Sequence, residues 1–214
     1  LALAISIGLA IPLGVLAASR KNSGADFLVG VFSHFSIAVP GFWVGLILII
    51  VFATTLGIMP AGGFPGWAAG FWPAFKALIL PAVALGLPQA GVLTRVTRTA
   101  VLDVLGEDFV RTARAKGLTP RAALWLHAVP NALIPVVTIL GLQFTFLIAG
   151  AVLVENVFNL PGLGRLAYQA LAQRDIIVMQ DVVLFFCALV ILMNFAVDIA
   201  YLFIDPRLRR EGGV

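Results

Sequence analysis

Few residues in this chain are of a type that makes or breaks covalent bonds, and their spacing keeps them apart. His34 and His127 fall on opposite arms of the topology that the apolar runs dictate. The single Cys187 lies in an apolar run, has no partner for an internal disulfide, and reads as a small core residue. Membrane-embedded hydrolysis needs a nucleophile beside a base, or paired acids at one depth, and the carboxylates within the apolar runs are too few for that. No group has metal-ligand spacing, so no metal is expected. What remains is recognition chemistry. It is concentrated in Glu107 to Pro135, EDFVRTARAKGLTPRAALWLHAVPNALIP, a basic segment set between long apolar runs.

The elements that position this segment follow from composition. With 61% hydrophobic residues, 11% charged residues and a mean hydropathy of +1.07, the chain has too little polar surface to coat a soluble globule. It is an integral membrane protein, all-α, and its 214 residues suffice for one polytopic bundle of about five spans. The apolar runs place these at Leu1 to Ser19, Gly41 to Ile58, Phe75 to Val92, Ala132 to Val154 and Val182 to Ile204. Phe27 to Ile58 is too long for one straight crossing. Pro40-Gly41 divides it, which makes Phe27 to Val39 a helical lead-in along the interface or pathway. Residues 1–214 form a single transmembrane domain with a cytoplasmic loop at 103–130.

Cytoplasmic loops retain Lys and Arg, and eleven of the 14 basic residues cluster at Arg20-Lys21, between Arg95 and Arg121, and at Arg207 to Arg210. Only Lys76, Arg165 and Arg174 fall on the other side, and Lys76 can snorkel from a span end. The carboxyl terminus is therefore expected in the cytoplasm. The uncharged, glycine-rich stretch Met59 to Trp72, with Trp67 and Trp72 as interfacial aromatics, is expected outside. The pI near 9.8 reflects this topology and the lipid surface, with no nucleic acid implied. Basic residues follow the first apolar run instead of preceding it, which argues against a cleaved signal peptide. The opening Leu1 suggests a chain that begins inside a longer protein.

Within the basic segment, Glu107 and Asp108 open a short helix, Arg111, Arg114 and Lys116 close it, and Gly117 follows as its C-cap residue. Thr119 reads as an N-cap with Pro120 in the first turn of a second helix, which Pro130 and Asn131 interrupt after Ala128. Phe109, Ala113 and Gly117 are spaced by four, so an aromatic knob shares a face with two small residues. Such a face suits a helix docked in a protein groove. An amphipathic helix resting on anionic headgroups fits the pattern as well.

Arg111 to Gly117, followed after nine residues by His127-Ala128-Val129-Pro130, resembles the EAA loop (E-A-A-x-x-x-G-x9-I-x-L-P) of binding-protein-dependent ABC-transporter permeases. Arg111 stands where that pattern has Glu, and His127 where it has Ile. Both departures resemble the oligopeptide and dipeptide permease subgroup with its Y-V-R-T-A-R-A-K-G segment, Phe109 replacing the Tyr. Ser36-Ile37-Ala38-Val39-Pro40-Gly41-Phe42-Trp43 is similar to that subgroup's S-I-P-x-F-W. Val154 to Gly164, VENVFNLPGLG, is similar to its V-E-x-V-F-x-x-P-G-L-G, and Asn194, Asp198 and Asp205-Pro206-Arg207 to its closing segment.

The resemblance covers essentially the whole chain and implies a type I importer membrane domain in a bacterial or archaeal plasma membrane. By the family pattern, a first span and an external region precede Leu1. Also implied are a sister permease, as heterodimer or homodimer, two cytoplasmic ATPase subunits, and an external substrate-binding protein. Phe109, Arg111, Ala113, Arg114, Lys116 and Gly117 would meet an ATPase cleft through the coupling helix Glu107 to Leu118. The chain lacks a G-x-x-x-x-G-K-[S/T] phosphate loop, so ATP and Mg would be bound by the partner subunits and no cofactor by this chain. ATP-driven closure would move the coupling helices together and switch the pathway between inward-open and outward-open states. Cargo in this subgroup includes dipeptides, oligopeptides, glutathione and nickel complexes. A secondary carrier or channel using Asp198 and Glu155 as ion sites, without an ATPase, is the alternative.

Several polar residues within the spans keep two readings each. Glu155, before the turn Pro161, Gly162, Gly164, lines a pathway or gate, or else caps an external re-entrant turn. Gln143 is either inter-helix glue or a peptide contact. Ser36 and Pro40 sit where the lead-in meets the second span, and Ser33 and His34 line the passage or are satisfied structural groups. Asn194, Asp198, Tyr201 and Asp205 form one stripe along the last span, best packed against a neighbouring helix. Gly41 and Gly45 form a G-x-x-x-G, a pattern common by chance in glycine-rich spans.

Overall fold

The computed structural model describes residues 1–204, except the side chains of residues 198 and 200–204; of the stripe, the side chains of Asp198 and Tyr201 and the whole of Asp205 therefore lie outside what is described, as does the Arg207 to Arg210 cluster. Among the described residues nine α-helices follow one another: α1 (Ala2–Ser19), α2 (Gly24–Ala38), α3 (Gly41–Leu48), α4 (Phe71–Leu105), α5 (Asp108–Ala115), α6 (Pro120–Ala123), α7 (Val129–Val157), α8 (Leu163–Gln173) and α9 (Ile176–Ile204). Widened π-turns extend α3 through Ile49–Thr55 and join α6 to α7 through Leu124–Ala128.

The four segments Ala2–Ser19, Phe71–Leu105, Pro120–Val157 and Ile176–Val197 are each long and apolar enough to cross a membrane. A fifth crossing exists if α2 and α3 with its π-turn are taken as one span, bent by 99°. The bend falls where the sequence places it. Val39 is extended and Pro40 opens α3, because the pyrrolidine ring has no N–H to continue α2.

α4 forms the axis of the bundle, with α1, α2, α3 and α7 packed along it. Its small residues let neighbours approach: a methyl at Gly14 of α1 would lie 2.6 Å from Thr97 Cβ. The two buried threonines of α4 satisfy their hydroxyls within the helix, Thr94 to the Ala90 carbonyl and Thr97 to that of Leu93. The core divides by level. Val15, Val101, Leu124 and Val129 close the end near the basic segment, Ala10, Leu93 and Val136 the middle, and Leu80, Val154, Phe158 and Leu160 the other end.

Three boundaries differ from the apolar runs. The third span extends past Val92 to Leu105, since Thr97, Ala100 and Val101 remain buried while Arg95 and Asp103 point outward. Pro81 and Pro88 stay inside it, as the bundle tolerates a lost helical hydrogen bond where neighbours cover it. Pro130 does not interrupt the fourth span. The π-turn before it bonds the Val129 N–H to the Leu124 carbonyl, and this wider turn admits a proline ring that a regular helix would exclude. The last span starts at Ile176 instead of Val182, because Asp175 caps it through a bond from the Val178 N–H, 3.1 Å.

Candidate functional site

Gly106 and Glu107 separate α4 from α5, so the axial helix of the bundle runs almost directly into the short basic helix. Asp108 lies in the first turn of α5 and Arg114 in its last, each at the end of the dipole that favours its charge. Gly117 follows with φ +98, a left-handed conformation that a Cβ would strain, and turns the chain toward Thr119. Thr119 Oγ1 accepts from the Ala122 N–H at 3.2 Å and so starts the next helix.

α5 has two faces. Val110 is its anchor, 1% exposed, with Ala113 half-buried beside it. Phe109, Arg111, Arg114 and Lys116 are all on the exposed side. The line drawn through Phe109, Ala113 and Gly117 is thus divided: Phe109 points away from the bundle, Ala113 sits at the boundary, and Gly117 is past the last helical residue. α5 thus presents an exposed phenyl ring and three exposed basic side chains, with Val110 on its bundle side.

A connection invisible in the sequence joins α2 to α4. Arg98 donates from Nε to Asp26 Oδ1 at 2.6 Å and from its terminal nitrogen to Oδ2 at 2.8 Å, a bidentate pair. Asp26 also accepts from the Asn22 N–H at 2.9 Å, while Ser23 Oγ accepts from the Asp26 N–H, so the start of α2 is capped much as in a capping box, with the carboxylate reaching the residue before the N-cap. The local signal was legible as Ser23-x-x-Asp26; its partner, 72 residues on, was not. Further along the same contact Ser36, 2% exposed, packs against Gly91, where a methyl would lie 2.8 Å from Ser36 Cβ. Ser33 is buried beside it, and His34 is exposed with Nδ1 2.7 Å from the Gly30 carbonyl oxygen.

Gln143 joins α7 to α4, donating from Nε2 to the Gln89 carbonyl at 2.9 Å, in the manner of inter-helix glue. Glu155, near the end of α7, turns its carboxylate onto the start of α8 and accepts from the Arg165 N–H at 2.9 Å. The acid thereby caps a helix N-terminus, where negative charge is favoured. Gly162 and Gly164 make this docking possible: a methyl on Gly162 would collide with the Glu155 carboxyl, and one on Gly164 would lie 2.6 Å from Val152 Cα. Leu160, Pro161 and Gly162 form the turn, with α7 ended by Asn159 at φ +52. Phe158, 1% exposed, fills the same end of the bundle, and its carbonyl accepts from the Gly63 N–H at 2.7 Å. The loop carrying Gly63 is thereby bound to the α7 turn.

Residues 10–210 match the family described as binding-protein-dependent transport system inner membrane component. The chain belongs to that family. It is a multi-pass inner-membrane component, the permease subunit of an ATP-driven importer. The permease is 42% identical to the "Probable peptide ABC transporter permease protein y4tP" of Sinorhizobium fredii, over 98% of this chain and 67% of that protein. It is 42% identical to the di/tripeptide transport system permease protein DppB of Pseudomonas aeruginosa, over 92% and 65%. To the oligopeptide transport system permease protein AppB of Bacillus subtilis it is 41% identical, over 95% and 65%. The chain spans about two thirds of the length of these relatives. Its fold matches a chain of the inward-facing methionine ABC transporter MetNI with a TM-score of 0.75 at 20% identity, covering 95% of this chain and 89% of that one.

Proposed function

We propose that this permease forms part of a translocation pathway for dipeptides or oligopeptides and that α5 is the part gripped by an ATPase subunit. The observation that carries the coupling reading is the continuity of α4 into α5, with Phe109, Arg111, Arg114 and Lys116 turned outward and Val110 anchoring the helix beneath them. Relatives named for peptide, dipeptide and oligopeptide transport support the cargo. The basic clusters around α5 support a cytoplasmic position for it. In this reading ATP and Mg belong to two partner ATPase subunits, the chain binds no cofactor and hydrolyses nothing, and an external binding protein delivers cargo to the permease and its sister subunit.

The mechanics follow from the contacts. Displacement of α5 moves the end of α4, because only Gly106 and Glu107 intervene. The Asp26–Arg98 pair carries that movement into α2, and the bend at Pro40 lets α2 swing while α3 stays packed. At the far end Phe158, bonded to the 62–63 loop, and the Glu155-capped α8 close the bundle. Glu155 acts there as a positioning residue and Gln143 as a strut; Ser36, Pro40, Pro161, Gly162 and Gly164 shape the moving contacts. Asp198, on the last span, is proposed to face protein or water, as its charge demands.

Deleting Ala113 to Gly117 tests the proposal in membranes that hold the complete importer. Loss of both ATPase copurification and ATP-coupled peptide uptake, with membrane insertion retained, is expected. Uptake that persists without nucleotide would identify a secondary carrier instead.

A further inference from the structure

We propose that the groove between the end of α1 and the α5–α6 corner is a binding site for the headgroup of an anionic phospholipid. The inference rests on the cytoplasmic placement of α5 given above. The groove measures about 850 Å³ and has two distinct walls. Arg20 at the end of α1, Arg114 in the last turn of α5 and Arg121 in the first turn of α6 bring three cations from three elements to one opening, and no carboxylate lines it. Among the described residues none of the three is within ion-pair distance of an acid, the two pairs being Asp26–Arg98 and Asp108–Arg111. The floor is apolar, built from Val15, Leu16, Leu105 and Leu124.

This combination selects the ligand. A free anion would use the cations and leave the apolar floor wet, and an acidic protein surface would have no use for an apolar strip running toward the membrane core. A phospholipid uses both. Its phosphate meets the arginines, and its acyl chains continue along α1, whose Leu9 and Leu16 face outward at 38% and 37% exposure. Trp125, 52% exposed at the rim, is the kind of amphipathic ring that settles at headgroup depth. Filling the groove would brace α5 against α1, so lipid charge would bear on the element that the ATPase moves.

Native mass spectrometry of the delipidated complete importer tests this, titrating with dioleoyl-phosphatidylglycerol, dioleoyl-phosphatidylcholine or inorganic phosphate. Wild type should retain phosphatidylglycerol in preference to phosphatidylcholine, less so as salt is raised, and phosphate should not displace it. Each arginine near a membrane surface contributes about fivefold in affinity, so R20Q/R121Q should weaken retention roughly 25-fold while ATPase subunits still copurify. Equal retention of both lipids by wild type overturns the proposal whether or not the variant folds. Displacement by millimolar phosphate makes the groove a free-anion site and overturns it as well. Unchanged lipid retention in R20Q/R121Q with loss of the ATPase assigns the groove to that partner instead. If wild type binds no ATPase at all, the coupling reading fails separately.

Discussion

Replacing Glu155 by Ala removes the carboxylate that caps α8, and replacing Gly162 by Ala should do the same damage by another route. In E155A the Arg165 N–H loses a charged acceptor held at 2.9 Å. Hydrogen bonds to charged groups contribute about 1.5–3 kcal/mol when well enclosed, and less when half-exposed as here, so the loss should be about 1–2 kcal/mol. In G162A the new methyl meets the Glu155 carboxyl. That group is the far end of a flexible side chain and can swing away, at the expense of the same cap, so this variant should also lose about 1–2 kcal/mol. The two losses are one event. The double variant E155A/G162A should therefore lie about 1–2 kcal/mol below wild type instead of the sum of about 2–4, a coupling energy of about 1–2 kcal/mol. G164A provides the contrast, because its methyl would face Val152 backbone atoms at 2.6 and 2.9 Å. Backbone cannot swing aside, so G164A should cost about 1–3 kcal/mol and, with only a secondary contact to Glu155 Oε2 at 3.0 Å, gain little relief from E155A. Equilibrium unfolding of the purified permease in mixed micelles measures these variants and the further double variant E155A/G164A. Full additivity of E155A and G162A would refute the capping argument.

The remaining predictions concern the other contacts. D26N and R98Q should each uncouple nucleotide-stimulated uptake while leaving ATPase association intact, since the pair joins α2 to α4 and lies away from the exposed face of α5; the charge swap D26R/R98D should restore part of the uptake measured in vesicles. F109A should weaken copurification of the ATPase at least tenfold with only a small change in unfolding midpoint, because the residue is 45% exposed and belongs to none of the buried apolar clusters. Q143L should change stability by less than about 1 kcal/mol, the lost bond to Gln89 being offset by removal of a buried Gln143 oxygen that has no protein partner. A change in the peptide selectivity of Q143L uptake would mark Gln143 as a cargo contact.

Much of the fold could be read from the chain because its signals are local. Apolar runs located the spans, Pro40 located the bend, and Gly117 with Thr119 and Pro120 located the turn between α5 and α6, each through chemistry confined to a few residues. Prolines inside the spans were misleading for a physical reason. Pro130 breaks a helix in water, yet here the preceding π-turn absorbs it and the lipid phase penalises any unwound alternative. α4 exceeded its apolar run because Thr97, Ala100 and Val101 are buried by α1, a fact of packing and not of hydropathy. Within the candidate site, the outward cations of α5 were visible in order and type, but which residue anchors the helix was not. Val110 reveals itself only when α5 lies on the bundle. The Asp26–Arg98 pair was hidden for the same reason, its two halves carrying unremarkable local roles until α2 and α4 meet. For Glu155, sequence left a gate and a capped re-entrant turn equally open; the bond it accepts from the Arg165 N–H was not legible there, because it joins the end of α7 to α8 across the turn.

The central claim is that an external motor grips α5, and site-directed crosslinking from its outward face tests it most directly. Cys187 is exposed, not the core residue that its apolar run suggested, so C187S supplies the background, into which K116C or F109C is introduced. In membranes containing the complete importer, a short bifunctional reagent should join this permease to a nucleotide-hydrolysing subunit, with a yield that changes when ATP is added. Crosslinks that reach only lipid, or a yield indifferent to ATP across both positions, would contradict the account.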